Sequence, residues 1–211
     1  VVTGTDKDDW FDIEHGDKYV EVSAYRIIDG EKKKRFFKRQ FKADITKEVW
    51  VYGLDDDDRF VVKGTQKSEI KVRLIGGQNN DIYVVGAGKA TYIHDYKSKK
   101  NTFEDISNAN VLLTDDYEVN TYQPMRFGSS TNSITPTLGY NPDDGLKIGV
   151  SDTYTYNGFR QNPFSQQHKI GAAFYFATTG IELGYSGEFA NVFGKWNLEI
   201  ATRFTSPNFS I

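Results

Sequence analysis

The sequence predicts an all-β protein, with a small β-rich domain followed by long antiparallel strands that have one apolar and one polar face. From Ile134 to Phe204, apolar residues keep to every second position, which is the period of a strand. Residues 1–122 carry nearly all the charge runs on shorter predicted strands. Helix signals are nearly absent throughout.

The alternation is clearest in four predicted strands. Leu146, Ile148, Val150, Tyr154 and Tyr156 share one face, and the residues between them are small or polar. The same division is predicted for the three runs whose apolar members are Ile170, Ala172, Phe174 and Phe176; Ile181, Leu183 and Tyr185; and Trp196, Leu198, Ile200 and Phe204. The apolar face must meet either a second protein layer or lipid.

Composition limits the choice between these two environments. Hydrophobic residues make up 38% of the 211 residues, and no run approaches the roughly 20 apolar residues of a membrane helix. A membrane β-barrel stays open as an interpretation, because its strands need only about 9–11 residues. The net charge of -3 gives no reason to expect a nucleic-acid partner, and the absence of Cys removes disulfides and thiolate chemistry.

Aromatic residues and loop lengths favour a barrel of the outer-membrane type. Aromatic rings near predicted strand ends suit the two membrane interfaces; they are Tyr140, Tyr154, Tyr156, Phe159, Phe164, Phe189, Phe193 and Trp196. A short turn is predicted at 141–145, and a longer loop on the opposite side at 157–167. Asp152 would face lipid unless a bulge shifts the register near Ser151. A soluble β-sandwich is the alternative.

We therefore divide the chain into a charged β-rich periplasmic domain at 1–122, a linker at 123–133 and the first strands of a truncated barrel at 134–211. Pro124, Gly128 and the polar run 129–133 interrupt all periodicity in the linker. Residues 205–211 predict a turn and the start of another strand. Single-chain bacterial barrels have even strand numbers from eight upward, so further strands are expected.

A weak repeat runs through residues 1–122. It consists of Gly, four residues, Asp, one residue, an aromatic residue, one residue and a β-branched residue. The copies are Gly4, Asp9, Phe11 and Ile13; Gly53, Asp58, Phe60 and Val62; Gly76, Asp81, Tyr83 and Val85; and a half copy at Asp115, Tyr117 and Val119. We favour ordinary Asp-rich turns in a small sheet, with each Asp bonded to amides of its own turn. A stacked, solenoid-like architecture is the alternative.

A hairpin is predicted between the first two copies. The segment 19–28 alternates, Asp29-Gly30 is a two-residue turn signal, and 35–41 returns. The basic run 32–35 follows the turn. We interpret this run as a solvated hairpin tip, and contact with lipopolysaccharide or anionic headgroups is the alternative.

Two segments are candidate calcium ligands, because hard cations prefer several carboxylate and carbonyl oxygens. The candidates are Asp55, Asp56, Asp57, Asp58, Asn79 and Asp81. The run 76–84 nearly matches the calcium-binding nonapeptide of parallel β-rolls, but Asn79 replaces the third Gly and no tandem copy follows. Structural turns are therefore the favoured interpretation, with no metal or cofactor bound.

No catalytic residue is predicted. His15, His94 and His168 lie apart, without metal-ligand spacing around them. There is no nucleophile elbow, and no phosphate-cradling glycine loop precedes a helix.

Two stretches resemble known families. Residues 140–149 resemble the opening hairpin of the bacterial surface antigen barrel, which belongs to the outer-membrane insertase superfamily. Residues 49–58 and 72–77 resemble the β-rich region before that barrel in large Bacteroidota outer-membrane proteins. Many of those proteins carry a calcineurin-like metallophosphoesterase domain nearer their N-terminus. The dinuclear metal motifs of that domain, Asp-x-His, Gly-Asp-x-x-Asp and Gly-Asn-His, are absent here, so no catalytic residue carries over.

The resemblance implies work in the bacterial envelope. The expected role is protein insertion or export through the barrel, or anchoring of an upstream phosphoesterase. The expected partners are outer-membrane lipid and other envelope proteins, with residues 1–122 in the periplasm. The alternative is a soluble, secreted β-solenoid that serves in adhesion or calcium binding.

Overall fold

A computed structural model describes residues 1–65, 67–126, 128–161 and 163–207. The chain forms two compact units, Val1–Tyr122 and Gln123–Ile211. Both are built almost entirely from strands. No helix among the described residues has the length and apolar character needed to span a membrane.

The first unit contains eleven strands among its described residues and one short helix. The strands are β1 Val2–Thr3, β2 Asp9–His15, β3 Tyr19–Ile28, β4 Glu31–Lys42, β5 Glu48–Leu54, β6 Arg59–Gly64, β7 Lys71–Gly77, β8 Ile82–Val85, β9 Thr91–Asp95, β10 Thr102–Asp105 and β11 Ala109–Leu113. The helix is α1, Tyr117–Asn120.

Most strands of this unit are parallel and stacked in two sheets. One sheet has the order β1-β5-β7-β9-β11, and every pairing in it is parallel. The other has the order β10-β8-β6-β2-β3-β4, and its pairings from β10 to β2 are parallel. Four coils contribute one strand to each sheet: β1 and β2, β5 and β6, β7 and β8, and β9 and β10. The unit is a parallel β-solenoid, so the favoured prediction of ordinary turns in a small sheet is wrong and the stacked alternative is correct.

The predicted hairpin is confirmed as β3 and β4. It extends the second sheet, with β3 antiparallel to β2 and β4 antiparallel to β3. Asp29 and Gly30 have φ values of 55° and 73°. Both values lie in the left-handed region that a two-residue hairpin turn of this type requires.

The core lies between the two sheets. Phe11, Phe60, Tyr83 and Phe103 form a ladder in which neighbouring ring centroids are 4.9, 5.1 and 5.5 Å apart. All residues of the buried hydrophobic cluster, from Val2 to Ile93, belong to this unit. The aromatic residues of the repeat therefore point inward, as predicted, and the unit has a hydrophobic core of its own.

The half copy of the repeat is not a strand. Asp116 caps the short helix α1 by accepting from the amide of Glu118. Tyr117 is 61% exposed, whereas Val119 is buried. The predicted inward-pointing pair is therefore wrong here, because a helical backbone places residues two apart on different faces.

The second unit is a five-stranded antiparallel meander in the order β12-β13-β14-β15-β16. Its strands are β12 Thr131–Asn141, β13 Gly145–Tyr156, β14 Gln166–Tyr175, β15 Gly180–Phe193 and β16 Trp196–Thr205. β12 begins inside the predicted linker 123–133, which also contains a short 3₁₀ turn at Pro124–Arg126. Residues 208–211, part of the segment predicted to begin a further strand, lie outside the described residues.

Candidate functional site

One face of the five-stranded sheet is a continuous apolar surface. The register aligns Leu138, Ile148, Phe174 and Ile181 in a row across four strands. Beside it, Val150, Ala172, Leu183 and Phe204 form the next row. The predicted alternation is confirmed, and these rows form what we call the apolar face. Most of its large side chains are exposed; Leu138 and Trp196 are each 76% exposed, whereas Phe174 is half-buried.

Asp152 interrupts this face. It pairs with Ile134 on one side and Ile170 on the other, and neither pairing shows a bulge. The register shift that would have turned Asp152 away is therefore not present. Its Oδ1 atom is buried and has no hydrogen-bond partner among the described residues. A carboxyl group in this position disfavours burial in an apolar medium.

The opposite face is polar and forms a groove of about 370 Å³. Glu182 lies at its centre and accepts a hydrogen bond of 2.8 Å from the Tyr175 hydroxyl. The Arg203 guanidinium and the Lys147 ammonium lie 3.1 and 3.6 Å from the same carboxylate. Small residues such as Gly171 line the groove beside these charges. The sheet therefore has one charged face and one apolar face.

The loops between the strands only partly follow the prediction of short turns at one end of the sheet and long loops at the other. Asn141–Gly145 forms the predicted short turn, in which the Asn141 amide group donates to Asp144 over 2.9 Å. The longer connection is confirmed at 157–165, after Tyr156 and before Gln166, on the opposite rim. The β15–β16 turn at 194–195 lies on that same rim but has two residues, so long and short connections do not separate strictly.

The first unit holds a column of buried carboxyl groups, which we call the inner ladder. The amide of Asp9 donates to Oδ1 of Asp58 over 2.8 Å, and the amide of Asp58 donates to Oδ1 of Asp81 over 2.9 Å. The amide of Asp81 in turn donates to Oδ1 of Asn101 over 2.9 Å. Asp58 and Asp81 thus each bond the preceding coil, whereas the sequence predicted bonds within their own turns. Asp9 accepts from the amide of Thr5 over 2.8 Å, so the predicted bond within the turn is present there.

A second column runs in the opposite direction on the exposed side of the same turns. The amide of Asp57 donates to Asp8 over 3.2 Å, that of Asn80 to Asp57 over 3.0 Å, and that of Lys100 to Asn80 over 2.9 Å. The two columns hold successive coils in register, because each hydrogen bond links one coil to the next.

The calcium candidates belong to these columns or lie beside them. Asp57, Asp58 and Asp81 accept amide hydrogens, and Asp55 accepts from the amide of Asp56 over 3.0 Å. Asn79 donates to Asp56 over 3.4 Å. Within the described part of the chain, no group of three or more His, Cys, Asp or Glu side chains is arranged to hold a metal ion.

The glycine of the repeat leaves room for the carboxyl group. A Cβ atom at Gly53 would overlap Oδ2 of Asp58 and approach the carbonyl oxygen of Gly76. A Cβ atom at Gly76 would overlap Oδ2 of Asp81 and the Tyr83 hydroxyl. Glycine and Asp therefore recur together because the carboxyl group occupies the space of the missing side chain.

The side-chain oxygens of Asp81, Tyr83 and Asp95 lie close together beside Gly76. The Tyr83 hydroxyl donates to Oδ2 of Asp95 over 2.6 Å. Burial raises the pKa of Asp58 to about 10, and the charges of Asp81 and Asp9 add to the effect. Burial, with Asp95 nearby, raises the pKa of Asp81 to about 8, and burial raises that of Asp95 to about 6. Each of these buried carboxyl groups therefore holds its proton more tightly than a solvent-exposed Asp does.

The three histidines lie in separate places and have separate partners. His15 is buried, and its Nε2 atom lies 3.1 Å from the Thr91 hydroxyl. Burial lowers the pKa of His15 to about 4, so its ring is neutral. His94 contacts Arg73, and His168 lies 3.0 Å from the Tyr185 hydroxyl.

Sequence reasoning missed the roles of Asp95 and Asn101. The signal for Asn101 was its spacing of 20 residues from Asp81, which continues the inner ladder by one coil. Asp95 aligns with Gly76 in the parallel register that joins Ile75 to His94. No sequence pattern marked it, because this position is Gly in the three coils before it and Leu113 in the coil after it.

Comparison with known proteins gave no match to any protein-family model, curated protein or solved structure.

Proposed function

We propose that this chain is a segment of a bacterial outer-membrane protein. In this proposal the five-stranded sheet is part of a transmembrane β-barrel and the solenoid is a periplasmic domain. The observation that carries it is the exposed apolar face on strands of 10 to 14 residues. At about 3.3 Å per residue, even the shortest of these strands is long enough to cross a bilayer at the usual tilt.

The opposite polar face supports the same proposal. Barrel strands alternate between lipid-facing apolar residues and polar residues that face the lumen. Here the groove around Lys147, Glu182 and Arg203 lies on the face of the sheet opposite the apolar rows. The edges β12 and β16 each pair on one side only among the described residues, and additional strands would be needed to close a barrel.

A role in the envelope follows from this proposal. The barrel would serve protein insertion or export, or would anchor a phosphoesterase domain upstream of the solenoid. We assign no catalytic role to the chain itself, since two-metal hydrolysis needs convergent ligands that hold ions about 3.5–4 Å apart.

A soluble solenoid module for adhesion or calcium binding is the competing interpretation. The parallel stacking of the first unit agrees with it, but the apolar face does not. Contiguous exposed apolar surfaces of more than a few hundred Å² are unusual on soluble proteins and mark membrane or protein contacts.

The test uses two positions on opposite faces of β13 that lie close in depth. Because the chain has no Cys, Ile148→Cys and Ser151→Cys each provide a single labelling site. The full chain is folded with lipid vesicles after labelling with an environment-sensitive fluorophore. We expect brominated acyl chains to quench the label at position 148 strongly and the label at position 151 weakly.

Equal quenching at the two positions, or none at either, would refute the membrane assignment. Ser151→Cys is the matched control, because it lies three residues from Ile148 on the same strand but on the polar face.

A further inference from the structure

Strand β4 forms one edge of the second solenoid sheet and is twelve residues long. All of its residues except Phe37 and Phe41 are exposed. Its partner β3 pairs with β2 only as far as Arg26. From Ile28 to Glu31 the hairpin is therefore a two-stranded ribbon that extends past the last paired residue of β2.

This hairpin is strongly basic in an acidic chain. Residues 19–42 contain eight Lys and Arg and three Asp and Glu, a net charge of +5, although the whole chain carries -3. Seven of the eight cations lie on β4. The charge is therefore concentrated along one exposed edge.

Only part of this charge is neutralised within the chain. Lys32 pairs with Asp12, Lys33 with Glu31, and Lys38 with Glu21. Among the described residues, no carboxylate forms an ion pair with Lys34, Arg35 or Lys42. These three side chains are available to an external anion.

Exposed apolar side chains accompany the cations. Ile28, next to the turn, is 53% exposed, and Phe36, which directly follows the run of four cations, is 41% exposed. Lysines on an edge strand protect a sheet from edge-to-edge pairing, and this accounts for some of the charge. It does not account for the apolar residues, since exposed Ile and Phe on an edge favour aggregation.

We propose that β4 and the hairpin tip dock on an anionic membrane surface. Clustered Lys and Arg attract acidic lipid headgroups, and neighbouring apolar side chains enter the boundary between headgroups and acyl chains. The structure thus supports headgroup contact, whereas the sequence favoured a solvated tip. This contact is separate from the long-stranded sheet and does not depend on whether that sheet enters a bilayer.

The test uses residues 1–122, which contain a complete hydrophobic core. Binding is measured by co-flotation with phosphatidylcholine vesicles that contain about one-third phosphatidylglycerol, and with pure phosphatidylcholine vesicles. We expect binding to the anionic vesicles alone, weakening as salt screens the charges. The triple variant Lys34→Gln, Arg35→Gln, Lys42→Gln should bind about 100-fold more weakly, at about fivefold per cation.

The matched control removes three exposed lysines elsewhere in the same unit, as Lys67→Gln, Lys89→Gln, Lys99→Gln. Both triple variants lose three positive charges. A difference in vesicle binding between them therefore reports where the charges lie and not how many were removed. Circular dichroism of each variant confirms that the solenoid is folded before binding is compared.

Failure of the unaltered unit to bind anionic vesicles would overturn the proposal. Equal weakening of vesicle binding in both triple variants would also overturn the proposal, because binding would then depend on the net charge of the unit and not on the β4 edge. Binding to a polyglutamate peptide without vesicle binding would show that the edge accepts an acidic chain, and would exclude the membrane as its occupant.

Discussion

The two units of this chain use the same strand alternation in opposite ways. In the first unit, the apolar side chains of facing sheets pack on one another, and Phe11, Phe60 and Tyr83 are fully buried. In the second unit, longer runs of alternating residues leave Ile134 and Leu138 more than two-thirds exposed. The difference shows that alternation predicts a two-faced strand but not the medium that its apolar face meets.

Polar residues show the reverse contrast. The solenoid buries Asp58, Asp81 and Asp95 inside the protein, each with hydrogen bonds to neighbouring groups. The sheet places Lys147, Glu182 and Arg203 together on its polar face in a partly exposed network. The first unit therefore buries titratable groups whose pKa values are raised, whereas the second keeps its charged groups on one partly exposed face.

The sharpest test of the contrast is to separate the units. Residues 123–211 alone should aggregate without detergent, because they expose the apolar face and two unpaired strand edges. Residues 1–122 should stay soluble and monomeric. Size-exclusion chromatography with and without detergent measures both. A monodisperse, detergent-free 123–211 would remove the basis for treating its apolar face as lipid-facing.

Arg substitutions on β13 test which face meets lipid. Ile148→Arg should cost about 2–4 kcal/mol of folding free energy in the membrane if the residue lies near the bilayer centre. Ser151→Arg, on the polar face, should be tolerated. The measurement is assembly of the full chain into lipid vesicles, and equal effects of the two substitutions would contradict the face assignment.

A glycine substitution tests the inner ladder. Gly53→Ala should destabilise residues 1–122 by about 1–3 kcal/mol, because the new Cβ overlaps the Asp58 carboxyl group and crowds the Gly76 carbonyl oxygen. Gly86→Ala is the control, since its Cβ would meet nothing closer than 3.8 Å. Urea unfolding compares the two, and similar midpoints would show that the ladder accommodates a side chain.

The stability of the solenoid should fall as pH rises. Asp58, Asp81 and Asp95 have pKa values of about 10, 8 and 6 in the folded state, above about 3.9 for an unfolded Asp. The folded state therefore binds more protons than the unfolded state, so their contribution is complete below pH 4 and is lost as pH rises through each folded value. His15, with its pKa lowered to about 4, opposes this below pH 6.5 but is a single group.

Asp58→Asn provides the matched variant, because Asn101 already occupies the equivalent place at the end of the ladder. The variant keeps an oxygen for the Asp9 amide and removes one titrating group. Its melting temperature between pH 5 and pH 9 should fall less than that of the unaltered unit. An identical pH profile would show that Asp58 does not titrate as assigned.

Calcium should have the smallest effect. If Asp55–Asp58 and Asn79–Asp81 are structural, added calcium should leave the melting temperature of residues 1–122 nearly unchanged. A true site at 100 times its dissociation constant would add about 2.7 kcal/mol. A clear calcium-dependent rise in the melting temperature that Asp81→Ala abolishes would establish a calcium site.

Several elements were predictable because their signals are local. The hairpin at Asp29-Gly30 follows from a turn that only certain residues adopt, and β13 follows from strict alternation between Leu146 and Tyr156. The repeat of Gly, Asp and an aromatic residue also revealed inward-facing positions such as Phe60. The helix at Tyr117 was missed, since its Asp-x-Tyr-x-Val sequence matches the repeat and helix capping by Asp116 competes with it.

The sequence by itself determined which side chains share a face, because strand geometry fixes this within a few residues. Only the tertiary structure decided that the strands of the first unit stack in parallel, since any two strands of similar pattern can pair and the register depends on distant partners. Stacking in turn placed Asp58 beside Asp81 and put Asp95 in the glycine column. The raised pKa values of these groups arise from burial and from that proximity, which no local pattern encodes.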